Sequence, residues 1–221
     1  MEKTNQEIKI KKVGWFYFFM KRLFDIVVSL LALIILSPLM LIITISVHIF
    51  SRGPALFVDK RIGRNQKIVG VYKFRSMYVD ADKHPEKYLS KEQMEEWKTE
   101  RKVQGDPRVV PFGRFLRNTS LDELPQLLNI FIGNMSFVGP RPISEREAKE
   151  HYNEDERKII FSCRPGLTGY WQVYGRDSAT YENGQRRILN LEYFQKRSLW
   201  LDFKLIMLTF VTIFKHEGAQ D

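Results

Sequence analysis

The chain has 221 residues, of which 44% are hydrophobic, and it carries 35 Lys and Arg against 26 Asp and Glu. This composition excludes a disordered polypeptide, and the length suits one domain, alone or with a membrane anchor. The net charge of +9 indicates anionic partners such as phosphorylated substrates, anionic lipid or nucleic acid. The single cysteine, Cys163, excludes a disulfide framework and a cysteine-based zinc cluster.

The first predicted element is a long apolar helix that follows a basic, aromatic segment at residues 1–22. Aromatic and basic residues of this kind are typical of a membrane interface. Residues 23–50 form the apolar element, and its uncharged stretch from 26 to 47 is long enough to cross a bilayer. Ser37 and Pro38 interrupt it, because proline removes a backbone donor and disfavours helical geometry in the residue before it.

The pattern leaves two topologies open for this helix. Basic residues flank both of its ends, and positive residues favour the cytoplasmic side of a membrane. This favours a re-entrant helix that is broken at Ser37-Pro38 and returns to the face it entered. A single-pass helix with a proline kink is the alternative, because membrane helices tolerate proline.

Residues 51–221 predict a small number of strands followed mainly by helices. The predicted elements are strands within 53–79, a solvated helix within 80–102, helical patterns at 121–133 and 144–157, and an apolar helix at 201–214. The last is either a core helix or a helix in the membrane interface. The predicted fold class is therefore α+β and mostly helical, with a re-entrant N-terminal membrane helix, amphipathic interfacial helices and a small β element.

The acidic pair Asp122-Glu123 is the first candidate site. Ser120 and Asp122 are both suitable helix N-caps, and Ser120 with Glu123 matches a capping box. Either register places both carboxylates at a helix N-terminus. The helix dipole there favours ionised carboxylates and nearby phosphate. Arg114 and Arg117 precede the pair and could contact the same anion.

Two adjacent carboxylates beside arginines can serve three purposes. They can bind Mg²⁺ together with substrate phosphates. One of them can act as a nucleophile and form a covalent intermediate. They can also simply start a helix and pair with arginine, which is the commonest outcome for such a sequence in a soluble protein. The neighbouring membrane segment and basic turns favour the two catalytic roles.

Several basic turns accompany the acidic pair. Arginine on a proline-stiffened loop offers a preorganised fork to phosphate. Each turn alone is typical of a protein surface, and only the collection indicates an anionic substrate. The candidate phosphate ligands in these turns are Lys60, Arg61, Arg75, Arg141 and Arg164.

These motifs resemble those of the bacterial sugar transferases, the monotopic polyprenyl-phosphate phosphoglycosyl transferases, in their minimal catalytic form. The resemblance extends from residue 21 to about residue 215 and depends on the order and spacing of the motifs. The motifs are KRLFD at 21–25, Ser37-Pro38, YKFRSM at 72–77, RNTSLDELPQLLN at 117–129, GNMSFVGPRP at 133–142, RPGLTGYWQV at 164–173 and SLWLDFKL at 198–205.

The resemblance implies a ping-pong phosphoryl transfer at the acidic pair. Asp122 would attack the β-phosphate of a UDP-sugar and release UMP, leaving a phosphosugar-aspartate. Undecaprenyl phosphate would then take the sugar-1-phosphate. Glu123 would help to hold Mg²⁺ with Asp122 or assist the acceptor, and the division of work between the two stays open. Arg117 and Arg141 match positions associated with phosphate binding.

The resemblance also implies a place in the cell and a set of partners. The re-entrant helix would sit in the inner leaflet of the bacterial cytoplasmic membrane, and residues 51–221 would form a catalytic domain with C-terminal interfacial helices on the cytoplasmic face. The partners would be a UDP-sugar, undecaprenyl phosphate and lipid, without nucleic acid, and a homodimer is compatible. The product would serve exopolysaccharide, capsule or glycoconjugate synthesis. A membrane-tethered basic scaffold without catalysis is the alternative.

Overall fold

The computed structural model describes residues 10–51, 53–81, 83–100, 103, 105–175, 180–181 and 183–215, so residues 1–9 of the predicted interfacial segment 1–22 lie outside it. Within these ranges the chain forms nine α-helices and four short strands. In chain order they are α1 (Trp15–Ser51), β1 (Leu56–Ile62), β2 (Ile68–Phe74), α2 (Lys91–Glu100), α3 (Pro111–Asn118), α4 (Gln126–Ile132), β3 (Ser136–Val138), α5 (Glu145–His151), α6 (Glu154–Ile160), β4 (Gly166–Thr168), α7 (Tyr170–Tyr174), α8 (Gln185–Lys196) and α9 (Leu199–Lys215).

Helix α1 is a single element of 37 residues. At 1.5 Å per residue it is roughly 55 Å long, which exceeds the ~30 Å hydrocarbon core of a bilayer. Among the described helices it alone is long and apolar enough to cross a membrane. Pro38 lies inside it, and the Ser37 hydroxyl donates to the carbonyl of Ile34 at 2.8 Å. The helical assignment thus continues through Ser37-Pro38, and the re-entrant path stays a prediction.

The chain divides into two compact units, each of which draws on α1. The first unit contains the residues up to Leu30, Lys60–Gly70 and Asn129–Thr212. The second contains chiefly Leu31–Asp59 and Val71–Leu128. The predicted mixed, mostly helical fold is confirmed, with one long apolar N-terminal helix and two small sheets, β1 with β2 and β3 with β4.

The core of the first unit forms where β3 and β4 pair in parallel and α5, α6, α8 and α9 pack. Strand β3 aligns with β4 so that Ser136 lies opposite Gly166. The largest fully buried side chains of this core include Tyr193, Phe194 and Leu205. Burial of such aromatic and aliphatic side chains contributes about 1.5–3 kcal/mol each. The hydrophobic effect therefore dominates the stability of this unit.

A polar network fastens the start of α1 to the two C-terminal helices. Asp202 of α9 accepts hydrogen bonds from Tyr17 at 2.9 Å, from Lys21 at 2.7 Å and from Tyr193 at 2.9 Å. Tyr17 and Tyr193 are also joined directly at 3.0 Å. A buried carboxylate is tolerated when several donors satisfy it, so this network fixes the register of three helices.

The core of the second unit joins the second half of α1 to β2 and α3. Ile43 and Val47 of α1 pack with Phe74 and Leu116, and all four side chains are buried. Residues with this i, i+4 spacing lie on one face of a helix. This face is therefore covered by protein, whereas most of the large apolar side chains of α1 are exposed.

Two predicted helices differ from the structure in their bounds. The solvated helix expected within 80–102 begins only at Lys91, where α2 starts. The single helix expected at 144–157 is wrong: two helices, α5 and α6, each begin with their own capping box. Asn153 caps α6 and adopts extended geometry, which ends a continuous helix.

The C-terminal helix α9 is amphipathic in its burial. Leu205 is fully buried on one side, whereas Trp200, Phe203 and Phe210 are 73%, 50% and 56% exposed. Large aromatic side chains left on a surface are typical of a membrane interface or a protein contact. Of the two predicted alternatives, the structure excludes a fully buried core helix.

Candidate active site

Asp122 and Glu123 lie in a short 3₁₀ turn, Leu121–Glu123, between α3 and α4. The predicted capping box is wrong, because within the described residues Ser120 caps no backbone group with its side chain. Ser120 has φ of 56°, a left-handed conformation in which the chain reverses after α3. An N-cap needs an extended backbone, so Ser120 cannot serve as one here.

The Asp122 side chain is buried and has no strong partner. Asp122 is 8% exposed, and in the described part of the chain no other residue forms a hydrogen bond or ion pair with its carboxylate. Burial and, to a lesser extent, the nearby charge of Glu123 raise the pKa of Asp122 to about 6, against the opposing charges of Lys73 and Arg117. A helix dipole would favour the ionised form, but the loss of solvent outweighs any such effect on this pKa.

Glu123 is held by a lysine that the sequence prediction did not select. Lys73 of β2 donates to Glu123 at 3.0 Å, with both side chains partly exposed. Lys73 alternates along the strand with Phe74, which is buried, so it must project from the opposite face. Arg75 and the buried Val71 share this parity, so the period of two alone does not select Lys73 as a neighbour of the acidic turn.

Arg117 of α3 is oriented by a close contact between that helix and the segment after β2. Its Nε donates to the hydroxyl of Ser76 at 2.9 Å. The contact depends on Gly113, where an added Cβ would lie 2.0 Å from the carbonyl oxygen of Ser76. Since no real Cβ approaches oxygen so closely, glycine is required at this position.

The acidic turn packs against the apolar helix α1. Leu121 and Leu124, which flank the pair, pack against the buried cluster that contains Ile43 and Val47 of α1. Phe115 of α3 is 53% exposed nearby in the same unit. The carboxylates are therefore held close to an apolar helix and to exposed aromatic surface.

The remaining predicted phosphate ligands already have partners or lie at the surface. Arg75, in the second unit, donates from Nε to the carbonyl of Pro54 at 2.8 Å. In the first unit Arg61 pairs with Glu147 at 2.9 Å, and Lys60 is exposed. Their binding of phosphate stays a prediction.

Arg141 and Arg164 also belong to the first unit. The Arg141 guanidinium lies over the ring of Trp171, 4.8 Å from its centroid. The backbone N–H of Arg141 donates to Asn190 at 3.4 Å, which orients the turn. Arg164 donates from Nε to the carbonyl of Gly133 at 2.6 Å. The structure brings Asp122, Glu123 and Arg117 together in one unit and places these two arginines in the other.

The acidic pair matches the protein ligands of a magnesium site but not a complete coordination sphere. No group of three or more His, Cys, Asp or Glu side chains that could hold a metal occurs within the described residues. Mg²⁺ commonly binds one or two protein carboxylates and takes its other ligands from water and substrate phosphate. Asp122, whose carboxylate has no hydrogen-bond or ion-pair partner among the described residues, and the adjacent Glu123 match that donor set.

A buried carboxylate beside a lysine and an arginine, held against a long apolar helix, defines a class of site suited to phosphoryl transfer. A family model described as bacterial sugar transferase matches residues 16–216. The chain therefore belongs to the bacterial sugar transferase family.

Relatives of known name support this assignment. Undecaprenyl-phosphate galactose phosphotransferase of Salmonella typhimurium is 40% identical over 203 residues, which cover 91% of this chain and 42% of that protein. Exopolysaccharide production protein ExoY of Sinorhizobium fredii is 39% identical over 90% of this chain and 87% of its own. UDP-glucose:undecaprenyl-phosphate glucose-1-phosphate transferase of Escherichia coli is 39% identical over 90% of this chain and 41% of its own. The chain thus spans about two fifths of two of these relatives.

Proposed function

We propose that the protein transfers a sugar-1-phosphate from a UDP-sugar to undecaprenyl phosphate, releasing UMP and forming undecaprenyl-diphosphate-sugar. This would be the first membrane step of exopolysaccharide, capsule or glycoconjugate synthesis. The relatives from Salmonella typhimurium and Escherichia coli are named for reactions of this type. The observation that carries the proposal is the buried carboxylate of Asp122, which has no hydrogen-bond or ion-pair partner in the described part of the chain and lies near Lys73 and Arg117.

Two displacements at one phosphorus describe the proposed reaction. An oxygen of Asp122 attacks the β-phosphorus of the UDP-sugar, the bond to the bridging oxygen breaks, and UMP leaves with the electron pair. An oxygen of undecaprenyl phosphate then attacks the same phosphorus. The bond to Asp122 breaks, and the carboxylate is restored for the next donor. The mechanism is ping-pong through a phosphosugar-aspartate.

The state of Asp122 suits the role of nucleophile. With a pKa of about 6 the group is roughly 90% ionised at pH 7. A carboxylate that no hydrogen bond or ion pair stabilises is also a better nucleophile than one tied to a partner. Burial thus raises its basicity without removing its charge at neutral pH.

The cations offset the repulsion between this carboxylate and the donor phosphates. Arg117, held by Ser76, and Lys73, held by Glu123, stay near the reacting groups. Fixed cations that face developing charge are the main source of catalysis in phosphoryl transfer. Asp122 and Glu123 would hold Mg²⁺, which would neutralise phosphate charge when it is bound.

The proposed location is the cytoplasmic face of the inner membrane, with α1 re-entrant. Exposed apolar side chains along α1 and on one face of α9 support membrane association. The packing of the acidic turn against Ile43 and Val47 supports an active site close to the lipid surface, where the acceptor phosphate lies.

Release of UMP by the purified full chain tests the proposed reaction. The chain is mixed with Mg²⁺ and a panel of UDP-sugars, with and without undecaprenyl phosphate. We expect one stoichiometric release without acceptor and continuous turnover with it. Asp122→Asn should slow UMP release in both phases by at least about 10³-fold. Ser120→Ala is the control, because its side chain caps nothing, and should keep most of the activity.

The same assay identifies the outcomes that oppose the proposal. Absence of UMP release from folded protein with every UDP-sugar would favour the non-catalytic membrane scaffold. Near-normal turnover in Asp122→Asn would exclude the covalent mechanism. Turnover without a stoichiometric first phase would favour direct transfer from donor to acceptor.

Labelling of single cysteines tests the path of α1. Lys12→Cys and Leu56→Cys lie at exposed positions on either side of the helix, and a Cys163→Ala background removes the native thiol. A re-entrant helix predicts that an impermeant maleimide labels both positions in inverted vesicles and neither in intact spheroplasts. Labelling from opposite sides would show a spanning helix.

A further inference from the structure

A recess in the first unit is lined by the start of α1 and by basic residues from later elements. We call it the basic recess. Its charged lining residues are Lys21, Arg22, Asp25, Arg64, Arg164 and Arg197. Five cations therefore face one carboxylate. The cavity volume is about 30 Å³, which is room for roughly two water molecules.

Most of the positive charge in the basic recess lacks a negative partner. Lys21 is neutralised by Asp202 at 2.7 Å. Arg22, in contrast, donates to two backbone carbonyls of the α4 segment at 2.7 and 2.8 Å. Arg164 and Arg197 also donate to backbone carbonyls, which carry no net charge. Within the described residues none of these three arginines forms an ion pair.

Arg64 is the cation with the fewest constraints. It is exposed at the mouth of the basic recess, and in the described part of the chain its side chain forms neither a hydrogen bond nor an ion pair. Burial and repulsion from Arg22 and Arg64 lower the pKa of Arg164. Like charges crowded in this way are stabilised when an anion enters between them.

Asp25 does not supply the missing charge in full. One of its oxygens accepts hydrogen bonds from the Ser136 hydroxyl at 3.1 Å and the Phe137 backbone N–H at 3.0 Å. It therefore serves to fasten α1 to β3. Asp25 is a single carboxylate, and it faces Arg64 as well as the three arginines that donate to backbone carbonyls. The recess therefore keeps a net positive charge.

The position of the basic recess on α1 indicates the depth at which it opens. Tyr17 and Lys21 face the recess. On the opposite side of the same turns, Trp15, Phe16 and Phe19 are 75%, 58% and 54% exposed. Exposed aromatic residues at the start of an apolar helix are typical of the headgroup layer. An anion that enters the recess at this depth would belong to the membrane surface.

We propose that the basic recess binds the phosphate of an anionic lipid headgroup, with Arg64, Arg164, Arg22 and Arg197 as its cationic wall. The shared chemistry is a lipid phosphate, which is either a phosphomonoester such as undecaprenyl phosphate or the phosphodiester of a bulk anionic phospholipid. The proposal depends on membrane association and not on transferase activity, so either can fail without the other.

Counting of bound lipid by native mass spectrometry tests the site. The full chain in neutral detergent is titrated separately with dioctanoyl phosphatidic acid, dioctanoyl phosphatidylglycerol, dioctanoyl phosphatidylcholine and inorganic phosphate. We expect one saturable site for the anionic lipids and much weaker binding of phosphatidylcholine. Arg64→Gln should weaken the binding of the anionic lipids about fivefold, as expected for the loss of one cation at a membrane surface. Since Arg64 has no side-chain partner, this variant should fold normally, which its melting temperature checks.

Lys67→Gln provides the matched control. Lys67 is an exposed cation three residues after Arg64 and does not line the recess. The Lys67→Gln variant should bind the anionic lipids as tightly as the unaltered chain does. Equal weakening by both variants would show diffuse surface attraction and overturn the site. Unchanged binding in Arg64→Gln, or equal binding of phosphatidylcholine, would also overturn it, and inorganic phosphate binding as tightly as lipid would exclude a lipid site.

A kinetic measurement separates the two lipid sources. If undecaprenyl phosphate occupies the recess, Arg64→Gln should raise the KM for the acceptor and leave the stoichiometric UMP release without acceptor unchanged. If bulk phospholipid occupies it, the acceptor KM should be unchanged while lipid binding falls. Either result supports a lipid phosphate in the recess, whereas a fall in the first UMP release would place Arg64 with the donor and contradict the proposal.

Discussion

Two buried aspartates of the second unit show how differently one side chain can be used. Asp106 is 4% exposed and Asp122 is 8% exposed. Arg108 donates to both oxygens of Asp106, from Nε at 2.9 Å and from its terminal nitrogen at 2.7 Å. Asp122 has no such partner within the described residues, and the two cations near it act only through space.

The difference separates a structural carboxylate from an available one. Asp106 and Arg108 satisfy each other, and the guanidinium also lies over the ring of Trp97 at 5.0 Å. No substrate could compete for such a pair. Asp122 is buried at a cost in free energy that the charges of Lys73 and Arg117 offset only in part. Folded proteins keep such groups chiefly where a ligand or a reaction uses them.

The largest expected effect comes from breaking the ion pair between Asp106 and Arg108. Asp106→Asn should lower the free energy of unfolding by about 3–5 kcal/mol, because it leaves the Arg108 charge buried without a partner. Thermal unfolding in detergent measures the loss. Glu145→Gln, which removes an exposed pair with Lys149, should leave the melting temperature essentially unchanged. A small effect of Asp106→Asn would show that water reaches Arg108.

The second expected effect is a gain in stability when the Asp122 carboxylate is removed, opposite to the loss expected at Asp106. The folded-state pKa of Asp122 is raised to about 6, so its ionisation destabilises the fold as pH rises from about 4 to 6, and this cost persists above 6. Asp122→Asn should therefore stabilise the protein by on the order of 2 kcal/mol at pH 7–8 and have no effect near pH 3.5. Melting temperatures across this pH range check it. Destabilisation at pH 8 would contradict the absence of a partner for Asp122.

A smaller effect is expected at Ser76, which orients Arg117. Ser76→Ala removes the hydrogen bond to Nε and should cost about 1 kcal/mol, seen as roughly fivefold slower UMP release. Ser162→Ala removes a comparable exposed bond to the carbonyl of Ile159 and should leave turnover unchanged. Equal effects of the two changes would show that Arg117 does not depend on Ser76.

The smallest expected effect is a shift in the pH dependence of the first UMP release, with the fold unchanged. The rate of the first UMP release should fall below about pH 6, where Asp122 becomes protonated. Since the charge of Glu123 raises this pKa, Glu123→Gln should move the acid limb to lower pH. Lys73→Met should move it to higher pH, because Lys73 lowers the same pKa. Movement in the same direction for both variants would exclude Asp122 as the titrating group.

The sequence predicts those parts of the fold that local patterns determine. The uncharged run of α1 and the alternation of β1 and β2 are features of neighbouring residues, and the structure confirms both elements. The division of residues 144–157 into two helices was missed, although the caps Ser144 and Asn153 were visible. A mixed-charge helical pattern continues across both helices, so charge spacing alone could not reveal the break.

The candidate site shows the same limit. The adjacency of Asp122 and Glu123 was evident, and so was a basic residue next to them at Arg117. The burial of Asp122 was not, because it depends on distant side chains such as Leu116 and Val47 that pack beneath the turn. The left-handed backbone of Ser120 was likewise invisible, since serine ordinarily favours the extended N-cap conformation.

The hydrogen bonds of Asp25 have a consequence for the order in which the protein is made. Its two donors, Ser136 and Phe137, follow it by 111 and 112 residues. At a synthesis rate of about 5–20 residues per second, they leave the ribosome roughly 5–20 s after Asp25 does. During that interval the Asp25 carboxylate lacks both of these donors. The contact between α1 and β3 can therefore form only late in translation, whereas Phe74 and Leu116, which pack against the second half of α1, are made earlier.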